Sequence, residues 1–484
     1  MATTNLPIST SPKTSSWLRT ALWLAGMATV FIVFAQLATG SELLWNDSTL
    51  LVSAAILSVS LFAVLSRVRA RSIDARKTFL MSAMTLLWFV LISEQIFVHH
   101  YNSASNAFAG SFGIEAFQEV AAWLLAGLVL LLMTFTRPQY LREMFSGSFK
   151  WISFFAILAV ASVPLSPSPR YSFAWGFKLV LVIFLLRACE SSMEGKEDLI
   201  SFLYSLLAGF FALIVLRFAT TLAGPDPIFQ GGRLNEIASP TSLSLMAGLL
   251  LLVSMTLFAI RKRGWLLIMA GLGMLVMLVA GGKAGIVAGV FSALLFFVLQ
   301  KRVRYALGLL VIFLVVGGVL LATTPLSKYF EDYNRSNEAS TITGRTDLWT
   351  AVWPAIQEKP ILGHGYVASR FLSLDVNVVG WEPPHTHNSF IESLYNNGIP
   401  GLLLVVIMNI IIIRNLLRAL KNQADRETFF LAVGGFSIYV SLLINGMFKV
   451  SFGGTPDNSF IMFLALFVIS IKLQEIARCA PLSS

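Results

Sequence analysis

The chain has 484 residues, of which 56% are hydrophobic and 12% are charged, and its mean hydropathy is +0.76. A soluble domain cannot keep so much apolar surface from water, so the composition excludes a soluble globular protein. The net charge of +10 does not require a nucleic-acid partner, because basic loops at the cytoplasmic side of a membrane explain it.

Apolar stretches recur along the whole chain. A helix of roughly 20 apolar residues crosses a hydrocarbon core of about 30 Å, whereas the short alternating strands of a transmembrane β-barrel are absent. The sequence therefore predicts an all-α, polytopic integral membrane protein with about 14 (12–14) transmembrane helices. The predicted spans are 18–39, 48–66, 78–98, 116–136, 149–165, 172–189, 199–222, 238–260, 264–281, 284–300, 305–323, 399–420, 429–448 and 458–475.

The loops between these spans differ in charge. The basic loops are 66–77, 137–150, 261–264, 300–304 and 414–426. The positive-inside rule assigns them to the cytoplasm and predicts that both termini are cytoplasmic. All five histidines, at positions 99, 100, 364, 385 and 387, then fall on the outer side.

One outer segment is much longer than the other loops. We predict N-terminal transmembrane helices over 1–322 (about 11 spans), a large, partly helical periplasmic loop over 323–398 with the catalytic motif, and C-terminal transmembrane helices over 399–484 (about 3 spans). Within the loop, TDLWTAVWPAIQ (346–357) predicts a short amphipathic helix with one apolar face formed by Leu348, Val352 and Ile356. Long ordered loops are usually functional.

Four cations on the outer side indicate an anionic ligand. They are Arg217, Arg233, Lys283 and Arg345, the last three beside glycines that permit close backbone approach. A cation in or near the bilayer costs on the order of 3 kcal/mol without a partner. Because guanidinium groups suit phosphate, we predict a lipid-linked phosphate or diphosphate at the outer leaflet. Lys283 and Arg217 could instead snorkel from helix ends.

The stretch HTHNSFIESLYNNG (385–398) has the most concentrated polar chemistry. A helix entry explains Asn388 as N-cap and Glu392 in the first turns, but explains the two histidines poorly. A neutral His387 could accept a proton from a sugar hydroxyl. A metal site would need three protein ligands, and beyond His385 and His387 a third is missing, so no metal is predicted.

Two stretches together carry a family resemblance. TGRTDLWTAVWPAIQEKPILGHGY (343–366) and HTHNSFIESLYNNGIPGLL (385–403) resemble the O-antigen polymerase and ligase superfamily, which contains Wzy-type polymerases and WaaL-type ligases. The form GR-x-x-LW looks most like exopolysaccharide polymerases of the ExoQ type. The clear match covers roughly 340–405. The resemblance implies a GT-C-like membrane glycosyltransferase that acts without nucleotide sugar, metal or other cofactor.

The resemblance also implies residue roles. Arg345 and His387 match the family's essential arginine and histidine, Arg233 matches a second essential arginine, and Lys283 stands where arginine is more common. Arg233 and Arg345, with Lys283 and Arg217, would hold the diphosphate, and His387 would orient or deprotonate the acceptor. Further candidates are Asn388 and Glu392 as supports of the imidazole, and His364, Tyr366, Trp349 and Trp381 as sugar contacts or as packing residues of the loop.

The predicted function is polymerisation of undecaprenyl-diphosphate-linked repeat units into surface polysaccharide or exopolysaccharide at the periplasmic face of the bacterial inner membrane. The predicted partners are the lipid-linked donor and acceptor, membrane lipid and, as a further candidate, a chain-length regulator (co-polymerase) protein; no nucleic acid is expected. Two alternatives stay open. One is a ligase that transfers the glycan to lipid A-core, and the other is a flippase or transporter, which would line a path through the bilayer with charges.

Overall fold

The structure is a computed structural model in which the described residues belong to one compact unit, Phe62–Ser484. The described residues are 75–96, 120, 123–124, 126–131, 142–223, 229–230, 233–234, 240–328, 344–374, 385–421 and 425–479. The first two predicted spans, His99, His100 and Trp381 lie outside them.

Helices dominate the described part of the chain. They are α1 (Ala75–Ile96), α2 (Lys150–Ala161), α3 (Pro169–Ser192), α4 (Lys196–Ala223), α5 (Pro240–Arg261), α6 (Gly264–Ala280), α7 (Lys283–Leu299), α8 (Val303–Thr323), α9 (Arg345–Glu358), α10 (Ser389–Leu420), α11 (Arg426–Phe448) and α12 (Asn458–Cys479). Short 3₁₀ helices cover Val163–Leu165 and Ala368–Leu374. The all-α prediction misses one small feature, the antiparallel pair β1 (Phe229–Gln230) and β2 (Arg233–Leu234).

Seven of the described helices are long and apolar enough to cross a membrane: α3, α4, α5, α8, α10, α11 and α12. Shorter apolar helices include α2, α6 and α7, which correspond to the predicted spans 149–165, 264–281 and 284–300. The prediction of a multi-pass helical membrane protein is thus confirmed in kind. The count of fourteen spans and the GT-C-like fold stay predictions.

Ion pairs join helix ends at one end of the bundle. Arg261 at the end of α5 binds Glu197 at the start of α4, with Nη2 2.5 Å from Oε2, and Glu427 at the start of α11, with Nη1 3.5 Å from Oε1. Lys472 near the end of α12 binds Glu190 near the end of α3 at 3.2 Å. The predicted basic loops 261–264 and 414–426 therefore lie at the same end. The starts of α5, α10 and α12 and the end of α11 lie at the opposite end, which carries the candidate site.

Helix α10 has a kink that separates a polar start from an apolar remainder. Gly398 has φ 63° and ψ −164°, and Pro400 follows it. At 1.5 Å per residue, residues 399–420 extend about 33 Å, enough for a bilayer core of about 30 Å. The apolar run can therefore cross the core without the residues before the kink, SFIESLYNN. The kink lies at the predicted boundary between loop and C-terminal helices, although that domain division itself stays a prediction.

The described part of the large loop packs around the predicted amphipathic helix. Helix α9 extends from Arg345 to Glu358, so the prediction of a helix over 346–357 is confirmed. Leu348, Val352 and Ile356 are buried against Ala368, Leu372 and Tyr395. Since Tyr395 belongs to α10, this small core fixes α9 beside the polar start of α10.

Candidate active site

The histidine segment before α10 has a constrained backbone. Asn388 is the N-cap, as predicted, because its Oδ1 accepts hydrogen bonds from the backbone N–H groups of Phe390 at 3.0 Å and Ile391 at 3.2 Å. His387, one residue earlier, has φ 55°. Positive φ is costly for a residue with a side chain, and such positions cluster at functional sites.

Glu392 stabilises the histidine segment through hydrogen bonds. Its side chain is buried, with 2% exposure, and its carboxylate accepts four hydrogen bonds. Two come from Thr386, from the backbone N–H at 3.0 Å and from Oγ1 at 2.9 Å. The others come from Asn396 Nδ2 at 3.1 Å and from the Ser369 hydroxyl. Glu392 therefore supports the histidines through the residue that stands between them.

Thr386 is a site residue that the sequence reasoning missed. It is fully buried, and its carbonyl oxygen accepts a hydrogen bond from Trp349 Nε1 at 2.9 Å. Trp349, predicted as a sugar contact or a packing residue, thus links α9 to the histidine segment. A hydroxyl residue between two histidines, six positions before a glutamate, was the available signal in the sequence.

The two imidazole rings lie close together, with centroids 4.1 Å apart. The backbone N–H of His387 donates to Nδ1 of His385 at 3.1 Å, so Nδ1 of His385 carries no proton. Burial, Arg345 and Lys449 lower the pKa of His387 to about 3. Burial, His387 and the cations Lys449, Arg370 and Arg345 also hold the pKa of His385 well below its usual value. Both rings are therefore neutral near pH 7.

Arg345 lies at the same end of the bundle as His387. It begins α9 after Gly344, whose φ of 72° permits the sharp entry, and its Nε donates to the carbonyl oxygen of Phe448 at 2.7 Å. The neighbouring carbonyl of Met447 accepts from Asn388 Nδ2 at 3.3 Å. The end of α11 thus connects the predicted arginine with the predicted histidine segment.

Lys449, which follows Phe448 at the end of α11, is a second site residue that the sequence reasoning missed. Its Nζ donates to the hydroxyl of Ser242 in the first turn of α5, and its charge acts on both imidazoles. It lies in a short segment between two apolar helices. The sequence around a single lysine in such a segment does not indicate which residues contact it in the folded protein.

Lys283 belongs to the same end, beside the start of α5. It is half-buried at the first position of α7, after Gly281 with φ 71°. A Cβ on Gly282 would lie 2.7 Å from the carbonyl oxygen of Pro240, so this turn tolerates only glycine in close contact with α5. Because Ser242 lies in that same first turn, Lys283 and Lys449 approach α5 at one place.

The other two predicted cations are less fully located. The backbone of Arg233 forms β2, paired with Gln230, but its side chain lies outside the described part of the structure. Arg217 is half-buried in α4, towards the end opposite the ion pairs of Glu197. Its position fits either a diphosphate contact or snorkelling, and its role stays a prediction.

Two of the predicted sugar contacts have partners that account for packing. His364 stacks on Tyr395 with ring centroids 4.4 Å apart, and its Nε2 lies 2.8 Å from the carbonyl oxygen of Ala355. Tyr366 is fully buried, and its hydroxyl donates to the carbonyl oxygen of Gly454 at 2.9 Å. These contacts favour the alternative that both residues pack the loop.

His385 and His387 are not joined by a third metal-binding side chain in the part of the chain that the structure describes. No group of three or more His, Cys, Asp and Glu side chains there could hold a metal ion. In the described part of the chain, the charges that act on His385 and His387 include the cations Arg345 and Lys449. This environment suits an anion better than a metal cation.

A comparison with protein families identifies a domain over this region. Residues 247–406, about a third of the chain, match the family Wzy_C, described as O-Antigen ligase. The match runs from α5 to α10 and includes Lys283, Arg345 and His387. No curated protein matches the chain. Over these residues the chain is similar to O-antigen ligases, and the match supports the resemblance to the superfamily of O-antigen ligases and polymerases.

Proposed function

We propose that the protein is a lipid-diphosphate-dependent polysaccharide polymerase of the bacterial inner membrane, with both termini in the cytoplasm and the site facing the periplasm. The donor is a growing glycan on undecaprenyl diphosphate, and the acceptor is one lipid-linked repeat unit. An acceptor hydroxyl attacks the donor's anomeric carbon, the glycosidic bond forms, and the bond to the lipid diphosphate breaks. The hydroxyl proton leaves with a base.

One observation carries the proposal: the end of α11 binds both Arg345 and the segment of His387, and adds Lys449 beside them. Cations around a neutral imidazole match a reaction in which an anionic leaving group departs while a hydroxyl loses its proton. Since diphosphate is already a good leaving group, the protein mainly needs to position the reactants and stabilise charge.

The cations are proposed to hold the diphosphate. Arg345 is oriented by the bond from its Nε to the carbonyl oxygen of Phe448, and a guanidinium group can form the bidentate contact that suits phosphate. Lys449 and Lys283 are further candidates, since each belongs to the same end of the bundle by its backbone position, and Arg233 is a candidate by the sequence resemblance. Arg217 is a more distant candidate.

His387 is proposed to orient or deprotonate the acceptor hydroxyl. With a pKa of about 3, the ring of the unliganded protein is a weak base. An anion bound to Arg345 and Lys449 offsets the charges that lower the pKa, so diphosphate binding raises it towards the working range. The base would then gain strength when the donor is in place, where such catalysis contributes about 10²–10⁴-fold.

The ligase alternative rests on the description of the matching family. In that reaction the acceptor would be lipid A-core, while the cations and His387 would keep the same roles. The flippase alternative expects charges along a path through the bilayer. The cations at positions 283, 345 and 449 instead share one end of the bundle, which favours an enzyme.

A chain-length assay tests the proposal. Purified full-length protein in lipid nanodiscs is incubated with lipid-linked repeat units, with and without lipid A-core. Polymers on undecaprenyl diphosphate are expected, whereas products on lipid A-core would identify the ligase. Arg345→Ala and His387→Ala should lose turnover, and Lys359→Ala, an exposed charge at the end of α9, should keep it. Normal turnover by both site variants would overturn the assignment. A co-purified chain-length regulator would be tested by its effect on product length.

A further inference from the structure

The first histidine of the pair has a defined geometric task. Its Nδ1 accepts the backbone N–H of His387 at 3.1 Å. A side-chain acceptor bonded to the N–H two residues later has the pattern of an Asx turn, which asparagine and aspartate ordinarily make. At position 385 an imidazole makes this turn.

This bond acts on a residue in a conformation that needs support. His387 has φ 55°, and the same segment is held by Glu392 and Trp349 through Thr386. These partners fix Thr386, the residue before His387. Asn388, the residue after His387, is fixed because it caps α10. Nδ1 of His385 is the described acceptor for the N–H of His387 itself.

We propose that His385 is a positioning residue, whose Nδ1 holds the backbone of His387 in the left-handed conformation that directs its imidazole at the substrate. This inference rests on the proposed function, because it assumes that His387 meets the acceptor hydroxyl. It also requires that Nδ1 be free of a proton, which the neighbouring cations Arg345, Arg370 and Lys449 favour by repelling an imidazolium.

Two substitutions of similar polarity, His385→Asn and His385→Gln, distinguish the hydrogen-bond acceptor role of Nδ1 from other roles of the side chain. In His385→Asn the amide oxygen takes the place of Nδ1 and can restore the turn. In His385→Gln the acceptor lies one carbon further out, near the place of Nε2, and the turn is lost. We expect His385→Asn to keep kcat within about threefold. His385→Gln should lose roughly ten- to hundredfold in kcat, the effect of leaving one partly buried N–H without an acceptor.

The assay is turnover on lipid-linked repeat units, with KM determined separately. KM should change little in both variants, because the cations that hold the diphosphate are untouched. Equal kcat in the two variants, whether high or low, would overturn the inference. If His387→Ala keeps full turnover, the proposed function fails; if it is inactive while His385→Gln is normal, the inference about His385 alone fails. Unfolding temperatures of both variants identify a general loss of folding, which His385→Asn should not show.

A second, independent observation concerns an apolar turn outside the site. Ile361 and Leu362 are each 65% exposed, although they are large and apolar. Their turn is fixed to the kink of α10: the carbonyl of Pro360 accepts the N–H of Ile399 at 2.8 Å, and a Cβ on Gly398 would lie 2.1 Å from the carbonyl oxygen of Ile361.

The kink marks where the apolar run of α10 begins, so the turn lies at the boundary of the bilayer core. Ile399 and Leu403 are exposed apolar residues of α10 that lie one helical turn apart, directly after the kink. Ile361 is thus continuous with an exposed apolar surface of a helix that is long enough to cross a membrane. We infer that the turn 360–362 inserts into the outer-leaflet interface and anchors the loop that carries Arg345 at the membrane surface.

Spin labels on single cysteines test this contact in nanodiscs, in a background with Cys189 and Cys479 replaced by alanine. A label in Ile361→Cys should collide more with oxygen, which dissolves in lipid, than with a water-soluble nickel chelate. A label in Glu358→Cys, exposed at the end of α9, should show the reverse. Equal nickel access at both positions would overturn the inference in favour of a solvated turn. Protection of position 361 from both probes would overturn it in favour of a protein partner.

Discussion

The carboxylate of Glu392 offers the sharpest test of how the histidine segment is held. Replacement by glutamine keeps size and burial but exchanges one acceptor oxygen for an NH₂ group. The carboxylate accepts from the N–H and hydroxyl of Thr386 on one side and from Asn396 and Ser369 on the other. Whichever way the amide turns, its NH₂ group faces an N–H that then has no acceptor.

The magnitude follows from that mismatch. A buried polar group left without its partner costs about 1–3 kcal/mol. If this cost falls on the productive arrangement of the His385–His387 segment, the fraction of competent protein falls roughly 5- to 150-fold. We therefore expect Glu392→Gln to lower kcat by that factor and to change KM little.

Turnover on lipid-linked repeat units measures this effect. Thr386→Ser, which keeps both the N–H and the hydroxyl, should retain activity, whereas Thr386→Val keeps the N–H alone and should be intermediate. Glu358→Gln, an exposed carboxylate on α9, serves as the matched control. Wild-type kcat in Glu392→Gln would refute the idea that this carboxylate positions the histidines.

Three further perturbations have defined outcomes. Arg345→Lys keeps the charge but cannot bind the carbonyl of Phe448 and a phosphate with one fork, so kcat/KM should fall roughly 10- to 150-fold in the turnover assay, the loss of a charged hydrogen bond; an unchanged value would contradict the bidentate contact. Because the pKa of His387 is about 3 when folded and about 6.5 when unfolded, the unfolded chain binds more protons between these values, so stability should fall as pH drops below 6.5. Thermal unfolding between pH 8 and pH 5 measures this, and His387→Gln should reduce the slope; an unaltered slope would argue against the depressed pKa. Gly398→Ala, with φ 63° and a neighbouring carbonyl 2.1 Å from the added Cβ, should destabilise by about 1–3 kcal/mol or more, whereas Gly317→Ala, where a Cβ meets nothing within 4 Å, should not; equal unfolding temperatures would contradict the strained turn.

The site could be predicted in part because some of its signals are local. Asn388 caps α10 and helix α9 begins at Arg345, and both follow from short-range patterns of residue type. The packing of Tyr366 and His364 could not be read in this way. Their partners, Gly454 and Tyr395, are set by how the loop folds back on the helices.

The sequence by itself indicated the membrane character, most of the described helices and the N-cap of α10, because hydropathy and capping act over a few residues; it also singled out Arg345 and His387 as candidates. Only the tertiary structure decided that Lys449 and Thr386 join them. Lys449 follows a helix that returns to the start of α5, and Thr386 meets a carboxylate and an indole from two different helices. Electrostatic interactions and hydrogen bonds depend on distances in space. For residues far apart in the sequence, these distances are set only when the helices pack.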